Sequence, residues 1–323
     1  MVYFATNEMT DFDTHGLMTM ASSPIQFDNA LMSRAMFYNE GSDTLFDKML
    51  DGDTNILWCH FVTHYQSDSS NGIWGYDNDW LRIFDLDGNR VAGIYRGGST
   101  SNSFQTRAQS ATIVASGALG VPAIRTVWDV CVDMTGSNIV VTTYLNGGLT
   151  HTVSVAKGTR KNIKRVEWRP GGLRFNWTNL CMSEFILSPT STLGQQVATL
   201  LPNTDGGLTE MAGNVTDLGT SGDGLGLETN APNQRHTWNP TAYGGPSKPI
   251  AAVQVSLAAE RSGGSPSVIA PFFRKAGLNY DGLNIAVGAY TKGRQVWTVN
   301  PITGLPWTVS DLTGLEIGLK SGG

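Results

Sequence analysis

RTVWDVCVDM, residues Arg125–Met134, is followed two residues later by SNIVVTTYLNGGLTHTVSVAKG, residues Ser137–Gly158. In an extended chain successive side chains point to opposite faces. Trp128, Val130, Val132 and Met134 then share one face, and Val127, Asp129, Cys131 and Asp133 the other. That alternation is the pattern of a half-buried strand. The second stretch reads as a hairpin turning at Asn146-Gly147, because a type I′ turn needs positive φ at both central positions and Asn-Gly accepts it. These two readings predict an antiparallel, all-β chain.

Working outward, the same signals recur. LRIFDLDGNRVAGIY (Leu81–Tyr95) is two apolar runs about Asp87-Gly88-Asn89, a further hairpin. NILWCHFVTH (Asn55–His64), RVEWRPGG, RFNW and CMSEFILSP complete a series with turns every 8–12 residues, which argues for a sandwich of antiparallel sheets. A short helix is expected near Thr44–Leu50. After Ser188–Thr192 comes a loop-rich stretch, 203–249, with GDGLGLE (Gly222–Glu228) read as loop. Strands resume in Pro249–Glu260, PSVIAPFFRKAG, LNIAVGAY, GRQVWTVNP and Leu315–Ser321, with a helical turn over Ser310–Gly314. The expected organisation is two antiparallel β-sandwich (jelly-roll) domains, 1–190 with an irregular N-terminal arm and a smaller one over 191–323.

The composition agrees. With 38 Gly and 13 Pro in 323 residues, the chain is neither collagenous nor low-complexity. It is long enough to bury roughly three quarters of its unfolded surface. No stretch approaches the about 18–20 uncharged apolar residues that cross a bilayer. The first 30 residues hold no Lys or Arg, so no leader peptide is expected. Cys59, Cys131 and Cys181 are odd in number and far apart. They read as buried thiols of a protein made in a reducing cytoplasm.

Charge is segregated along the chain. Residues 1–80 carry two bases and 12 acids; residues 81–190 carry 12 bases and six acids. The basic segment peaks at 157–174, with Lys157, Arg160, Lys161, Lys164, Arg165, Arg169 and Arg174. Nucleic acid is the less favoured partner for this patch. The other readings are a solvated strand face, or an assembly patch that meets the acidic N-terminal segment of a neighbouring subunit, since opposite potentials steer association.

Few residues suggest chemistry. His60 and His64 share a strand face, but neither HExxH nor a third ligand accompanies them, so they read as half-buried polar histidines rather than a metal site. Asp77, Asp79, Asp85 and Asp87 lack the EF-hand spacing, so structural calcium stays a minor alternative. GxSxG, the P-loop and a strand-to-helix GxGxxG are all absent from the sequence. No cofactor and no enzymatic activity are expected. NGIWGYDNDW (Asn71–Trp80) places Trp74, Tyr76 and Trp80 beside Asp77 and Asp79. Flat apolar rings beside placed polar groups suit a glycan, and these five residues are the candidate ligand contacts; the alternative is a strand end whose aromatics enter the core.

The second half also carries a family resemblance. LLPNTDGG (Leu200–Gly207), PIAAVQVSLAAERSGG, RKAGLNYDG and WTVNPITGLPWTVSDLTGLEIGLKS are similar to phrases of the C-terminal jelly-roll segment found in structural proteins of tailed bacteriophages. The match departs around 208–245. More weakly, WDVCVDMTGSNIVVTTYLNGG and CMSEFILSP resemble concanavalin A-like or laminin G-like jelly rolls. The resemblance implies a non-enzymatic virion component, in the tail, tail fibre or head decoration, that docks repeatedly with copies of itself and other virion proteins. The alternative is an adhesin whose N-terminal domain binds a host-surface glycan. If the acidic and basic segments join subunits, raising salt should loosen the assembly, because exposed pairs are screened beyond about 8–10 Å. Light scattering at low and high salt reads this directly; a mass independent of salt removes the contact.

Overall fold

The computed structural model describes residues 3–7, 11–15, 18–21, 35–38, 46–65, 78–97, 103–109, 112–118, 125–168, 180–219 and 226–322. The chain divides into two compact units, 1–197 and 198–323.

Unit 1 contains β1 (Phe4–Thr6), β2 (Thr14–His15), β3 (Met18–Ala21), β4 (Ala35–Tyr38), β5 (Phe46–Thr54), β6 (Ile56–Tyr65), β7 (Asn78–Asp85) and β8 (Arg90–Gly97). It continues with β9 (Ser103–Ala108), β10 (Thr112–Ala118), β11 (Thr126–Asp133), β12 (Asn138–Leu145), β13 (Gly148–Ala156), β14 (Ile163–Trp168) and β15 (Leu180–Ser188). Among the described residues these form two antiparallel sheets. One runs β13-β12-β11-β6-β15-β4-β3, with β1 also on β15; the other runs β10-β9-β8-β7-β14-β5-β2. Both expected hairpins form. Asn146 and Gly147 take φ of 51° and 80°, and Gly88 takes 77°, the left-handed values that such turns require.

The two sheets share one core, and aromatic rings dominate it. Phe12 meets Phe4, Phe46, Trp168 and Phe185 edge-on, with centroids 4.8–5.5 Å apart. Trp128 lies flat on Phe61 at 5.8 Å and receives the edges of Trp80 and Phe104. Its indole N–H donates to Thr63 Oγ1 at 3.0 Å, so burial leaves no unpaired donor there. The alternation in 125–134 holds: Trp128, Val130, Val132 and Met134 are all buried in this core.

The opposite face of that sheet is partly sealed by the chain after β15. His60 Nδ1 lies 2.8 Å from Asp129, and the Thr192 hydroxyl donates to the same carboxylate at 2.6 Å. His60 is therefore wholly buried, deeper than the half-burial its polarity suggests. Burial, and then the Asp133 carboxylate, push the Cys131 thiol up to about 12. Burial and the Asp129 charge also raise Cys59. Neither is a thiolate near neutral pH, so neither is an activated nucleophile.

The expected helix at Thr44–Leu50 is replaced by β5; Thr44 and Leu45 lie outside the described residues. Phe46 and Leu50 are buried, and β5 is paired on both sides, by β14 and β2. Pairing on two edges overrides a weak local helix preference. The RFNW stretch also falls outside the described residues.

Unit 2 holds β16 (Pro202–Thr209), β17 (Arg235–Pro240), β18 (Val253–Ala259), β19 (Val268–Lys275), β20 (Leu278–Asp281), β21 (Ile285–Ala286), β22 (Thr291–Trp297) and β23 (Glu316–Gly322). The sheet order is β16-β17-β23-β19-β20, with β21 on β19 and a separate β18-β22 pair. Stretch 203–249, expected as loop, thus contributes two strands, and LNIAVGAY contributes only the short β21. The glycines that suggested loop permit the pairing instead. A Cβ on Gly206 would collide with Thr237 and Glu316, and the Gly207 N–H donates to Glu316 Oε2 at 2.8 Å.

The phrase NPITGLPWTVSDLTGLEIG is a packing device. Asn300 is buried and accepts from the Ile302 N–H at 2.9 Å. Gly304 takes φ of 72°, and the turn delivers Trp307 into a core with Val255, Phe273 and Leu315. The expected helical turn is a 3-10 turn at Val309–Leu312, capped by Thr308 and Asp311.

Phe12 touches four rings and is fully buried. Phe12→Ala should therefore cost about 3–5 kcal/mol in denaturant unfolding, the range for removing a large buried aromatic. A loss below 1 kcal/mol would mean that this arm does not seal the core.

Candidate functional site

Among the described residues, the outward face of the seven-stranded sheet carries a cluster of ion pairs. In β7, Leu81 and Ile83 enter the core and Arg82 faces out. In β8, Ala92 and Ile94 enter and Gly93 lies between them; in β9, Thr106 and Ala108 are buried and Arg107 faces out. Pairing aligns these outward positions. Asp47 is opposite Glu167, Glu167 opposite Arg82, Arg82 opposite Gly93, and Gly93 opposite Arg107. A row of two carboxylates, a guanidinium, a gap and a second guanidinium crosses five strands. Two residues along β8, Tyr95 is opposite both Asp79 and Gln105.

Gly93 is the centre of this face. A side chain there would collide with Leu81 O and Arg90 Nη2. Its absence lets the Arg90 side chain lie over the strand and bring Nη2 to 2.7 Å from Asp79 Oδ1. Only 10% of the Arg90 side chain is exposed, and its Nε has no hydrogen-bond partner. Asp79 also accepts from Arg82 Nε at 3.1 Å, so one carboxylate serves two guanidinium groups. Glu167 is likewise shared, 3.8 Å from Arg82 and 2.9 Å from Arg165. Arg165 also approaches Asp47 at 3.7 Å and lies over Phe84.

Arg107 differs from the others. Its guanidinium lies on the Tyr95 ring, 3.4 Å from the centroid, and donates to Gln105 Oε1 at 3.1 Å. Among the described residues it has no carboxylate partner. Stacking holds the fork flat without neutralising it. Four guanidinium groups (Arg82, Arg90, Arg107, Arg165) face three carboxylates (Asp47, Asp79, Glu167), and the surplus charge sits at the Arg107 end. Chemically, this is a surface of guanidinium donors with an aromatic backing, in which the Arg90 side chain covers Gly93.

Of the expected ligand contacts, Asp79 lies on this face. Trp80 does not: it is 5% exposed and packs on Trp128, so its ring serves the core and offers no stacking platform. Two consecutive core residues, Trp80 and Leu81, are accommodated by a register irregularity between Asp79 and Leu81. Trp74, Tyr76 and Asp77 lie outside the described residues, as do Arg169, Arg174 and the side chains of His64 and Cys181.

Three of the seven patch residues bond within unit 1 through their side chains. Lys157 donates to Met134 O at 2.9 Å and Lys164 to Leu50 O at 2.8 Å, while Arg165 joins the ladder described above. Through β5 and β14, Arg165 meets one acid of the N-terminal segment, Asp47. Arg160 and the exposed Lys161 remain at the edge of the patch. Asp85 closes the hairpin by accepting from the Asp87 and Asn89 amides and from Lys161 N. Among the described residues no group of three His, Cys, Asp or Glu is placed to hold a metal ion. The sequence reading missed Arg82, Arg90, Gly93, Tyr95, Gln105 and Arg107. Their signal was the polar half of the alternation in RIFDLDGNRVAGIYR and SFQTRA.

No family model and no curated protein matches the chain. Solved structures resemble parts of it. The binding domain of Paraclostridial Mosquitocidal Protein 1 aligns at 11% identity over 61% of this chain and 49% of that one, with a TM-score of 0.41. The Caenorhabditis elegans galectin LEC-6 aligns at 10% identity over 46% and 93%, with a TM-score of 0.31. A Trypanosoma rangeli sialidase aligns at 13% identity over 48% and 25%, with a TM-score of 0.33. The chain thus spans about half the length of the toxin domain and a quarter of this sialidase. At these scores the likenesses carry no argument about function.

Gly93→Ala should displace Arg90 from Asp79 and lower stability by about 1–3 kcal/mol, the usual cost of overpacking. Urea unfolding of the full chain measures it. An unchanged midpoint would show that Arg90 does not depend on the gap.

Proposed function

We propose that unit 1 binds saccharide on the outward face of the seven-stranded sheet, and that the whole chain is a non-enzymatic component of a tailed-phage particle. The single observation behind the binding role is Arg107, laid flat on Tyr95 with Gln105 beside it and without a carboxylate partner among the described residues. A sugar is recognised by few, fixed polar groups on a stiff support. This face supplies guanidinium donors, an amide and carboxylate acceptors, all on paired strands whose neighbours are locked in the core.

The particle role is supported by the phrases between Leu200 and Ser321, which resemble phage structural proteins. Such a protein would dock by symmetry with copies of itself and with other virion proteins, presenting the same face many times. It would reside on the virion and need no cofactor. The non-enzymatic reading is supported by the neutral thiols of Cys59 and Cys131 and by the sealed His60–Asp129 pair.

The test is an array of bacterial surface polysaccharides probed with the full chain. Wild-type protein should be retained on a subset of spots. Arg107→Gln or Tyr95→Ala should weaken retention at least tenfold, whereas Lys161→Gln, away from the face, should leave it unchanged. Retention equal to wild type in both variants would remove this face as the site.

A further inference from the structure

Unit 2 has a cavity of about 360 Å³ where β17 and β19 begin and β23 ends. That volume lies within the range of small-ligand sites, about 300–1,000 Å³. Pro232, Asn233, Val268, Asn284, Lys320 and Ser321 line it. Ser321 fixes one wall. Its hydroxyl donates to Ala231 O at 2.8 Å and accepts from Gln234 N at 3.0 Å, and its carbonyl accepts from Asn233 N at 2.8 Å. Asn233 takes φ of 64°, a conformation in which Asn is enriched over most residues. Asn233 and Asn284 are both exposed, and among the described residues neither side-chain amide has a hydrogen-bond partner. Charge beside the cavity is balanced. Arg235 donates to both oxygens of Asp281, at 2.6 and 2.8 Å, and Lys320 donates to one of them at 3.1 Å. Glu210 accepts from the Arg235 backbone N–H at 2.8 Å, so two cations stand with two carboxylates.

We infer that this cavity is a saccharide site of unit 2, separate from the unit 1 face, and that it takes one neutral sugar residue. An anionic ligand needs a cation with charge to spare, and Lys320 and Arg235 are both committed to Asp281. A hydroxyl both donates and accepts, and so does a side-chain amide. Asn233 and Asn284, on separate loops ahead of β17 and β21, each hold one hydroxyl in either sense. The Lys320 ammonium has three protons and one partner, so it donates to a third. Pro232 and Val268 offer apolar surface to the C–H groups of the ring, as a sugar site requires beside its polar groups. Because Ser321 already holds the turn that carries Asn233, little ordering is left to pay for on binding.

The experiment uses the full chain carrying Arg107→Gln, which silences the unit 1 face proposed above. It is titrated with the methyl glycosides of neutral hexoses and with glucuronate, and binding is read by saturation transfer from protein to ligand in NMR. At least one neutral glycoside should bind. Asn233→Gly, which suits the positive φ, and Asn284→Ala, at an exposed position, should each raise its Kd about fivefold or more, the loss expected for a hydrogen bond to the sugar. Circular dichroism of both variants reads the fold, and either one keeps the test open if the other does not fold. An unchanged Kd in both variants overturns the site. Binding of glucuronate alone overturns the neutral ligand. Saturation transfer to none of the neutral glycosides overturns the inference as a whole. None of these outcomes bears on the unit 1 reading, whose array test turns on Arg107 and Tyr95.

Discussion

Trp128 holds unit 1 together. Its ring lies flat on Phe61 of the same sheet and receives the edges of Trp80 and Phe104 from the opposite sheet. Four strands from both sheets are therefore registered on one indole. Aromatic pairs of this geometry add about 0.5–1.5 kcal/mol each beyond their buried area. Because a strand has a side-chain period of two, a one-residue slip would turn every core residue outward. Placing Phe104 against Trp128, with Leu81 and Ile83 in the same core, therefore also decides that Gln105, Arg107 and Arg82 face away from it. The polar face is a consequence of the aromatic one.

The outward face has its own order. Asp79 and Glu167 are each shared by two guanidinium groups, and Asp47 meets Arg165. Exposed pairs of this kind contribute little singly, but here they are half-buried, backed by Phe84 and Tyr95, and aligned by the ladder beneath them. Their main effect is to fix side-chain positions, which is what a recognition surface needs. The pairing of β5 with β14 brings Arg165 of the basic stretch beside Asp47 of the acidic one. In unit 2 the glycines have the opposite role from the one their abundance suggests. Gly206 and Gly207 make a strand possible by leaving room for Thr237 and Glu316 on the neighbouring strands.

Much of the fold was legible from local pattern. The alternation in 125–134, the turns at Asn146-Gly147 and Gly88, and the series of strands to Ser188 depend on neighbours a few residues apart. The errors share one cause. Phe46–Thr54 has little strand character of its own, and Pro202–Thr209 is rich in glycine and polar groups, yet both are strands because distant segments pair with them. Trp80 stands among Asp77, Asn78 and Asp79, where the sequence leaves a ligand contact and a core ring both open. The irregularity after Asp79, invisible in the sequence, turns it inward.

The sequence by itself determined the fold class, the hairpins and the presence of a polar-aromatic stretch near Asp79. These follow from backbone geometry and from the segregation of apolar side chains, both properties of short windows. Only the tertiary structure decided which polar residues share a face. Asp47, Asp79, Arg82, Arg90, Gly93, Arg107 and Glu167 come from five strands spread over 121 positions. Nothing local in the chain sets their order across the sheet. That order comes from pairing around a buried aromatic core, which also left the gap at Gly93 that the Arg90 side chain crosses.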